Sequence, residues 1–212
     1  MSCIVPLRNL FIMFLCWHAL APWMSVCHAD DSCAAAPGCD EAVHFSRVMQ
    51  ADTHTALRAS FLVRGDADEV YTALRDAEKF PEFMPNTDEV TVLEHAEDHQ
   101  IVSFKGSSGL FKTEVVLRRV ADDRSRHIAW SLVRGSLKSS DGFWSVEHDT
   151  VCGASRVTYS NTVDAKLPLP GRLVRSFLRT SIEDTAVSLR KRVASNGTWQ
   201  SEEYRRHLKT SR

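Results

Sequence analysis

Residues that could do acid/base or metal chemistry are plentiful in this 212-residue chain, but their spacing matches no catalytic motif. The sequence contains no GxSxG elbow, phosphate-binding loop, GxGxxG or HExxH motif. His95 and His99 are four residues apart but flank an expected turn, so they do not share a helix face as a metal-binding pair would. We therefore expect no metal site and no cofactor, and we assign no catalytic residue.

Paired carboxylates and isolated polar residues are the other groups in this chain that could do acid/base chemistry. Adjacent carboxylates fall in expected turns or in the tail, at Glu97-Asp98, Asp122-Asp123 and Glu202-Glu203. A cyclase or dehydratase would need a polar acid/base group inside a cavity, near its substrate. Tyr159, Arg118 and Arg134 are the candidates for such a group, although packing or a surface position explains each of them more simply.

The elements that must position any site follow from the periodicity of apolar residues. Residues 57–63 alternate as a strand does, and Asp66 is a plausible N-cap of a helix that begins at Ala67. Six strand-like segments follow, at about 88–95, 99–106, 110–120, 126–134, 137–148 and 153–164. From Arg172 to about Ala194 the period becomes helical, with one apolar face. This order predicts an α+β fold in which a curved antiparallel sheet wraps around a long C-terminal helix, a geometry that often leaves a cavity.

The N-terminus has the layout of a secretory signal peptide. One cation, Arg8, precedes an apolar run from Leu10 to about Leu20, and small residues precede a cleavage site after Ala29. The alternative is an uncleaved membrane anchor, although the run is short for a membrane span. We predict a signal peptide at 1–29, a leader segment at 30–52, a folded domain at 53–195 and a polar tail at 196–212, in a protein that is periplasmic or secreted.

Three cysteines follow the predicted cleavage site, and an exported protein can form disulfides. Cys33 and Cys39 bracket a Pro-Gly turn, so a local disulfide between them is as plausible as none. For Cys152, beside Gly153 in an expected turn, a partly buried or unpaired thiol is favoured.

Three stretches resemble the START-like SRPBCC superfamily, in particular its polyketide cyclase/dehydrase and coenzyme-Q-binding branch. They are residues 67–71 with the turn Phe80–Pro85, residues 135–144, and residues 153–159 followed by the long helix. The resemblance implies a helix-grip fold of the START and Bet v 1 type, whose groove holds lipids, quinones or polycyclic aromatics. The signal peptide departs from the quinone-binding members, which act inside the cell or the mitochondrion.

In such a fold a set of apolar residues is expected to contact the ligand, with Phe83 and Met84 at one mouth of the groove. The candidate ligand-binding residues are Phe83, Met84, Phe104, Trp130, Trp144, Tyr159, Phe177 and Ile182. The favoured function is a non-catalytic, exported binding or carrier protein for a hydrophobic small molecule. The alternatives are a polyketide-type cyclase or dehydratase, and a protein-interaction module.

The amino-acid composition and net charge limit the classes of binding partner that we expect. With 26 Lys and Arg against 27 Asp and Glu, the net charge is -1, which argues against a general nucleic-acid binder. A hydrophobic small molecule is the expected partner, transient membrane contact is left open, and the sequence identifies no protein partner.

Overall fold

The computed structural model describes residues 38–51, 54–108, 111–166 and 171–210, and no side chains are described at 47–51, 54, 111 and 171. The predicted signal peptide and Cys33 lie outside the described residues. The strands are β1 (His44–Ala51), β2 (His54–Val63), β3 (Glu89–His95), β4 (Gln100–Ser108), β5 (Phe111–Asp122), β6 (His127–Gly135), β7 (Leu137–Asp149) and β8 (Ala154–Ala165). The helices are α1 (Ala67–Arg75), a 3₁₀ turn (Ala77–Lys79), α2 (Phe80–Phe83), α3 (Gly171–Ala194) and α4 (Glu202–Thr210). None of these helices is long and apolar enough to cross a membrane.

The strands form one antiparallel sheet in the order β1-β2-β8-β7-β6-β5-β4-β3. Five hairpins run consecutively from β3 to β8, and β8 returns beside β2. Alternate side chains of the central strands are buried on one face, which packs against α1, α2 and α3. The structure confirms the predicted helix-grip architecture of sheet and long C-terminal helix.

The sheet has one strand more than the sequence patterns predict, because residues 44–51 form β1 within the segment expected to be a leader. A register shift between Phe45 and Arg47 breaks the strand's alternation, which removes the period-two signal. The expected polar tail contains the short helix α4, which buries none of its residues.

Helix α1 is fixed at both ends by side chains. At its start Asp66 accepts a hydrogen bond from the backbone N–H of Asp68 at 2.7 Å, which confirms Asp66 as the N-cap. At its end the buried guanidinium of Arg119 donates to the carbonyls of Leu74 at 2.9 Å and Arg75 at 3.3 Å. Arg119 therefore satisfies carbonyls that the helix leaves without an internal partner.

The disulfide pairing differs from both expectations for the cysteines. Cys39 is bonded to Cys152, and their Cα atoms are 5.4 Å apart. The register explains the pairing: His44 pairs with Ser60, so the start of β1 lies at the end of the sheet that holds the β7–β8 turn. Cys39 precedes this start and Cys152 lies in that turn. Sequence proximity made Cys33 one possible partner, whereas sheet register places Cys152 near Cys39.

A candidate hydrophobic groove between the sheet and the long helix

Strand register identifies the side chains of the concave face, because directly paired residues of an antiparallel sheet point to the same side. One row across the sheet contains Phe61, Val157 and Val146, which are almost fully buried where α1 covers the sheet. Five other apolar residues on this face of β4 to β6 are partly exposed, namely Phe104, Val115, Leu117, Trp130 and Leu132. On the same strands Val102, Arg119 and Ile128 also point to this face and are buried. The concave face is therefore closed beneath α1 and only partly exposed on β4–β6.

Three aromatic residues at the middle of this face lie close together. The ring centroids of Trp144 and Tyr159 are 4.5 Å apart, and that of Trp130 lies 5.9 Å from Tyr159 and 6.3 Å from Trp144. Trp144 and Tyr159 are buried, while Trp130 is partly exposed. The structure therefore brings together three of the predicted ligand-binding residues as an apolar wall with one accessible ring.

Helix α3 covers the concave face unevenly. In its C-terminal half Ile182, Ala186 and Leu189 are buried in the core. In its N-terminal half Leu173 is 60% exposed and Phe177 is 45% exposed. Of the two predicted ligand-binding residues on this helix, Phe177 is therefore not enclosed by other protein groups, because this half of the helix is less tightly packed, whereas Ile182 is packed in the core.

The turn that contains Phe83 and Met84 is a packed part of the core. Phe83 is 1% exposed, and the Phe80 ring lies 5.9 Å from Phe83 and 6.2 Å from Phe104. An ion pair between Glu82 and Arg192, 2.8 Å long and largely buried, ties α2 to the end of α3. Phe83 and Met84 are therefore packed in the core, and the ring of Phe104, which is partly exposed on β4, lies beside that of Phe80.

Polar groups also line the concave face, and two of them, Asn161 and Ser140, are not among the residues predicted from the sequence. Tyr159 and Asn161 are buried on β8, two residues apart and thus on the same face, and Ser140 is buried on β7. Ser140 Oγ donates to Asn161 Oδ1 at 3.3 Å. Burial raises the pKa of Tyr159 to about 12, while a hydrogen bond from Asn161 acts in the opposite direction. The i, i+2 spacing from Tyr159 is the sequence signal that could have identified Asn161.

The other candidates for acid/base work lie away from this face. Arg118 is partly exposed and donates to Asp98 Oδ2 at 2.9 Å, and Arg134 is exposed. Among the described residues, no group of three or more His, Cys, Asp and Glu side chains is arranged to hold a metal ion. Of the three candidates, Tyr159 alone lies on the concave face.

Comparisons with known proteins agree with this architecture. The model of a family described as polyketide cyclase / dehydrase and lipid transport matches residues 63–190. Two Vibrio cholerae proteins named ribosome association toxin RatA are 34% identical over 86 residues, which is 40% of this chain and 58% of each relative. The match thus spans less than two thirds of the length of these relatives.

Three solved structures share the fold at low sequence identity. The Zhui aromatase/cyclase from Streptomyces sp. R1128 has a TM-score of 0.55 at 17% identity, over 73% of this chain and 96% of that one. A START superfamily protein from Mycobacterium smegmatis has a TM-score of 0.58 at 16% identity, over 66% and 97%. A STAR-related lipid transfer protein from Xanthomonas axonopodis has a TM-score of 0.54 at 16% identity, over 73% and 99%. At these identities the likeness to solved structures concerns the fold alone. The family match, in contrast, covers more than half of the chain. The chain therefore belongs to the polyketide cyclase / dehydrase and lipid transport family, as its START-like SRPBCC motifs predict.

Proposed function

We propose that this protein binds or carries a hydrophobic small molecule, held between the concave face of the sheet and α3. The main support is the wall formed by Trp130, Trp144 and Tyr159, which continues into partly exposed apolar residues on β4–β6. Burying such surface against a ligand is favourable by about 25 cal/mol per Å². The family's description as cyclase / dehydrase and lipid transport supports the same class of ligand.

We also propose that the protein acts outside the cytoplasm, in the periplasm or as a secreted protein. The predicted signal peptide supports export, and so does the disulfide between Cys39 and Cys152, since disulfides persist in oxidising compartments. The cargo would then be a molecule that the cell handles beyond its inner membrane.

A transient contact with an anionic membrane fits this role. Leu173 and Phe177 are exposed on the first half of α3, where the cations are Arg172, Arg175 and Arg179 and no acidic residue occurs before Glu183. Apolar side chains beside cations bind the interface of an anionic bilayer. Release of cargo into a membrane would use this surface.

Two other functions have specific support. A cyclase or dehydratase is favoured by the polar groups of Tyr159, Asn161 and Ser140 on the concave face, and by the structural likeness to an aromatase/cyclase. Ribosome association is favoured by the 34% identity to the toxins of that name. Export and a disulfide argue against the ribosome, which lies in a reducing compartment.

The carrier proposal is tested first by native mass spectrometry of the mature protein, purified from the compartment to which it is exported, followed by organic extraction. A bound apolar molecule of defined mass supports the proposal and identifies the cargo. Protein that is retained in the cytoplasm and sediments with ribosomes would overturn it in favour of the toxin-like function.

A second experiment compares two aromatic residues on opposite faces of the sheet. Binding of 1-anilinonaphthalene-8-sulfonate is measured for Trp130→Ala, on the concave face, and for Phe143→Ala, on the outer face. We expect at least about tenfold weaker binding for Trp130→Ala, because truncating a buried aromatic contact costs more than about 1.4 kcal/mol, and a change within twofold for Phe143→Ala. Equal effects of the two variants would contradict the placement of the ligand, and circular dichroism checks that both variants are folded.

A further inference from the structure

We infer that the disulfide between Cys39 and Cys152 fastens a redox-dependent clasp on helix α3, which slows ligand exchange once the protein has left the reducing cytoplasm. This inference rests on the proposed function and adds regulation to the same groove. The clasp consists of residues 38–45, which run through Cys39 into the start of β1.

The clasp contacts α3 at two points. Arg190 Nη2 donates to the backbone carbonyl of Glu41 at 2.8 Å. The guanidinium carbon of Arg179 lies 4.3 Å from the centre of the Phe45 ring, in a cation–π contact. The two arginines are eleven residues apart, which is close to three helical turns, so both extend from the same side of α3. The clasp therefore holds α3 along its flank.

The two halves of α3 depend on the clasp to different degrees. In the second half Leu189 is buried in the core, and Arg190 Nε also donates to the carbonyl of Leu62 on β2 at 2.8 Å. The first half is less tightly packed, and Arg179 connects it to Phe45. Segments with few buried apolar contacts open locally at a low free energy. The first half is therefore the part that loss of the clasp would release.

The disulfide is what fixes the clasp to the sheet. Strand β1 lies at the edge of the sheet, and the register shift between Phe45 and Arg47 interrupts its pairing with β2 just after the clasp. Residues 38–43 precede the strand, so the bond from Cys39 to the β7–β8 turn is their covalent anchor. Both cysteines are partly exposed, so an oxidant or a reductant can reach the bond.

The redox step is an ordinary thiol–disulfide exchange. Before export both cysteines are thiols, because the cytoplasm is reducing. In an oxidising compartment one thiolate attacks the disulfide of an oxidant, which forms a mixed disulfide and releases one oxidant thiol, and the second thiolate then displaces the other. Cys39 and Cys152 together lose two electrons and two protons, and the oxidant's disulfide becomes a dithiol. The clasp therefore closes where the cargo is to be carried.

The test uses the mature protein, from residue 30, with Cys33→Ser, so that Cys39 and Cys152 are its remaining cysteines. The disulfide form is compared with the form reduced by dithiothreitol, and circular dichroism checks that both are folded. Hydrogen exchange followed by mass spectrometry measures the two halves of α3 separately. We expect the amides of residues 172–181 to exchange about three- to tenfold faster after reduction, and those of residues 183–193 to change by less than twofold.

Dissociation of 1-anilinonaphthalene-8-sulfonate, measured by stopped-flow dilution, tests the groove itself. We expect this probe to leave the reduced protein about three- to tenfold faster than the disulfide form. Arg179→Met should give the disulfide form the same fast dissociation, and reduction should then add less than twofold, because the contact with Phe45 is already lost. Arg172→Met is the matched control, since it removes a cation two turns earlier on α3 and should leave the response to reduction unchanged.

Equal exchange of residues 172–181 in the two redox forms, with the free thiols confirmed by mass, would overturn the clasp. Loss of protection throughout the sheet and both halves of α3 would overturn it as well, because the disulfide would then be a general cross-link. Faster exchange of the helix with unchanged dissociation of the probe would overturn control of the groove. If neither form binds the probe, the carrier function fails and control of ligand exchange fails with it, while amide exchange still decides whether the disulfide holds α3.

Discussion

The indole ring of Trp130 lies directly over Gly142, where a Cβ atom would come within 2.5 Å of the ring and 2.3 Å of the carbonyl oxygen of Ser160. A glycine inside a strand often marks a place where another group approaches the backbone closely. It is what allows Trp130 to lie along the sheet beside Trp144 and Tyr159.

Replacing Gly142 by alanine should therefore displace Trp130. We expect Gly142→Ala to lower the free energy of unfolding by about 1–3 kcal/mol, the usual cost of overpacking, and to weaken probe binding. Urea unfolding and tryptophan fluorescence measure the two effects. A variant with wild-type stability and an unchanged emission spectrum would show that the position of the Trp130 ring does not depend on this glycine.

The adjacent arginines of β5 should differ sharply in their effect on stability. Arg119→Met leaves the carbonyls of Leu74 and Arg75 without their buried donor, which should cost about 1–3 kcal/mol. Arg118→Met removes an exposed ion pair with Asp98 and should cost less than about 1 kcal/mol. Thermal unfolding compares the two, and similar losses would contradict the assignment of Arg119 as the residue that caps α1.

The disulfide should contribute substantially to stability, because it closes a loop with a sequence separation of 113 residues. We expect the double variant Cys39→Ser/Cys152→Ser to lower the free energy of unfolding by about 2–4 kcal/mol. Cys33→Ser is the matched control, and it should leave the free energy of unfolding almost unchanged. Non-reducing peptide mapping of the wild type should yield a cross-linked peptide that contains Cys39 and Cys152. A Cys33–Cys39 peptide in its place would contradict the structure.

Stability at high pH should report the burial of Tyr159. Its pKa is raised to about 12, so the folded state holds its proton while the unfolded state begins to lose it near pH 10. The unfolded state then binds fewer protons, and stability falls as pH rises, by about 1.4 kcal/mol per pH unit from this group above pH 10. Urea unfolding of wild type and Tyr159→Phe between pH 9 and pH 11 checks this, and parallel pH profiles would disagree with a buried phenol.

Membrane contact should depend on the first half of α3. We expect Phe177→Glu to reduce binding to vesicles containing phosphatidylglycerol by at least about fivefold, since it places a charge in the apolar contact. Val187→Glu is the control, because Val187 is 47% exposed on the same helix but follows Glu183 and Asp184. Equal effects of the two variants in a sedimentation assay would argue against a specific surface.

The sequence alone determined the features that depend on local spacing. Alternating residues located seven of the eight strands that the structure describes, the helical period located α3, and the short polar side chain of Asp66 identified the start of α1. The turn Phe80–Pro85 and the strand motifs were sufficient to identify the family.

The tertiary structure decided which residues face one another. Arg118 and Arg119 are chemically identical, and only the register of β5 buries one of them beneath α1. The pairing of Cys39 with Cys152 depends on the position of β1, whose irregular alternation hid it from the sequence patterns. The meeting of Tyr159, Asn161 and Ser140 likewise requires β7 and β8 to be in register. Contacts between residues distant in the chain depend on which strands pair. Apolar periodicity within one strand indicates which of its side chains share a face, and thereby restricts the register, but it does not identify the partner strand.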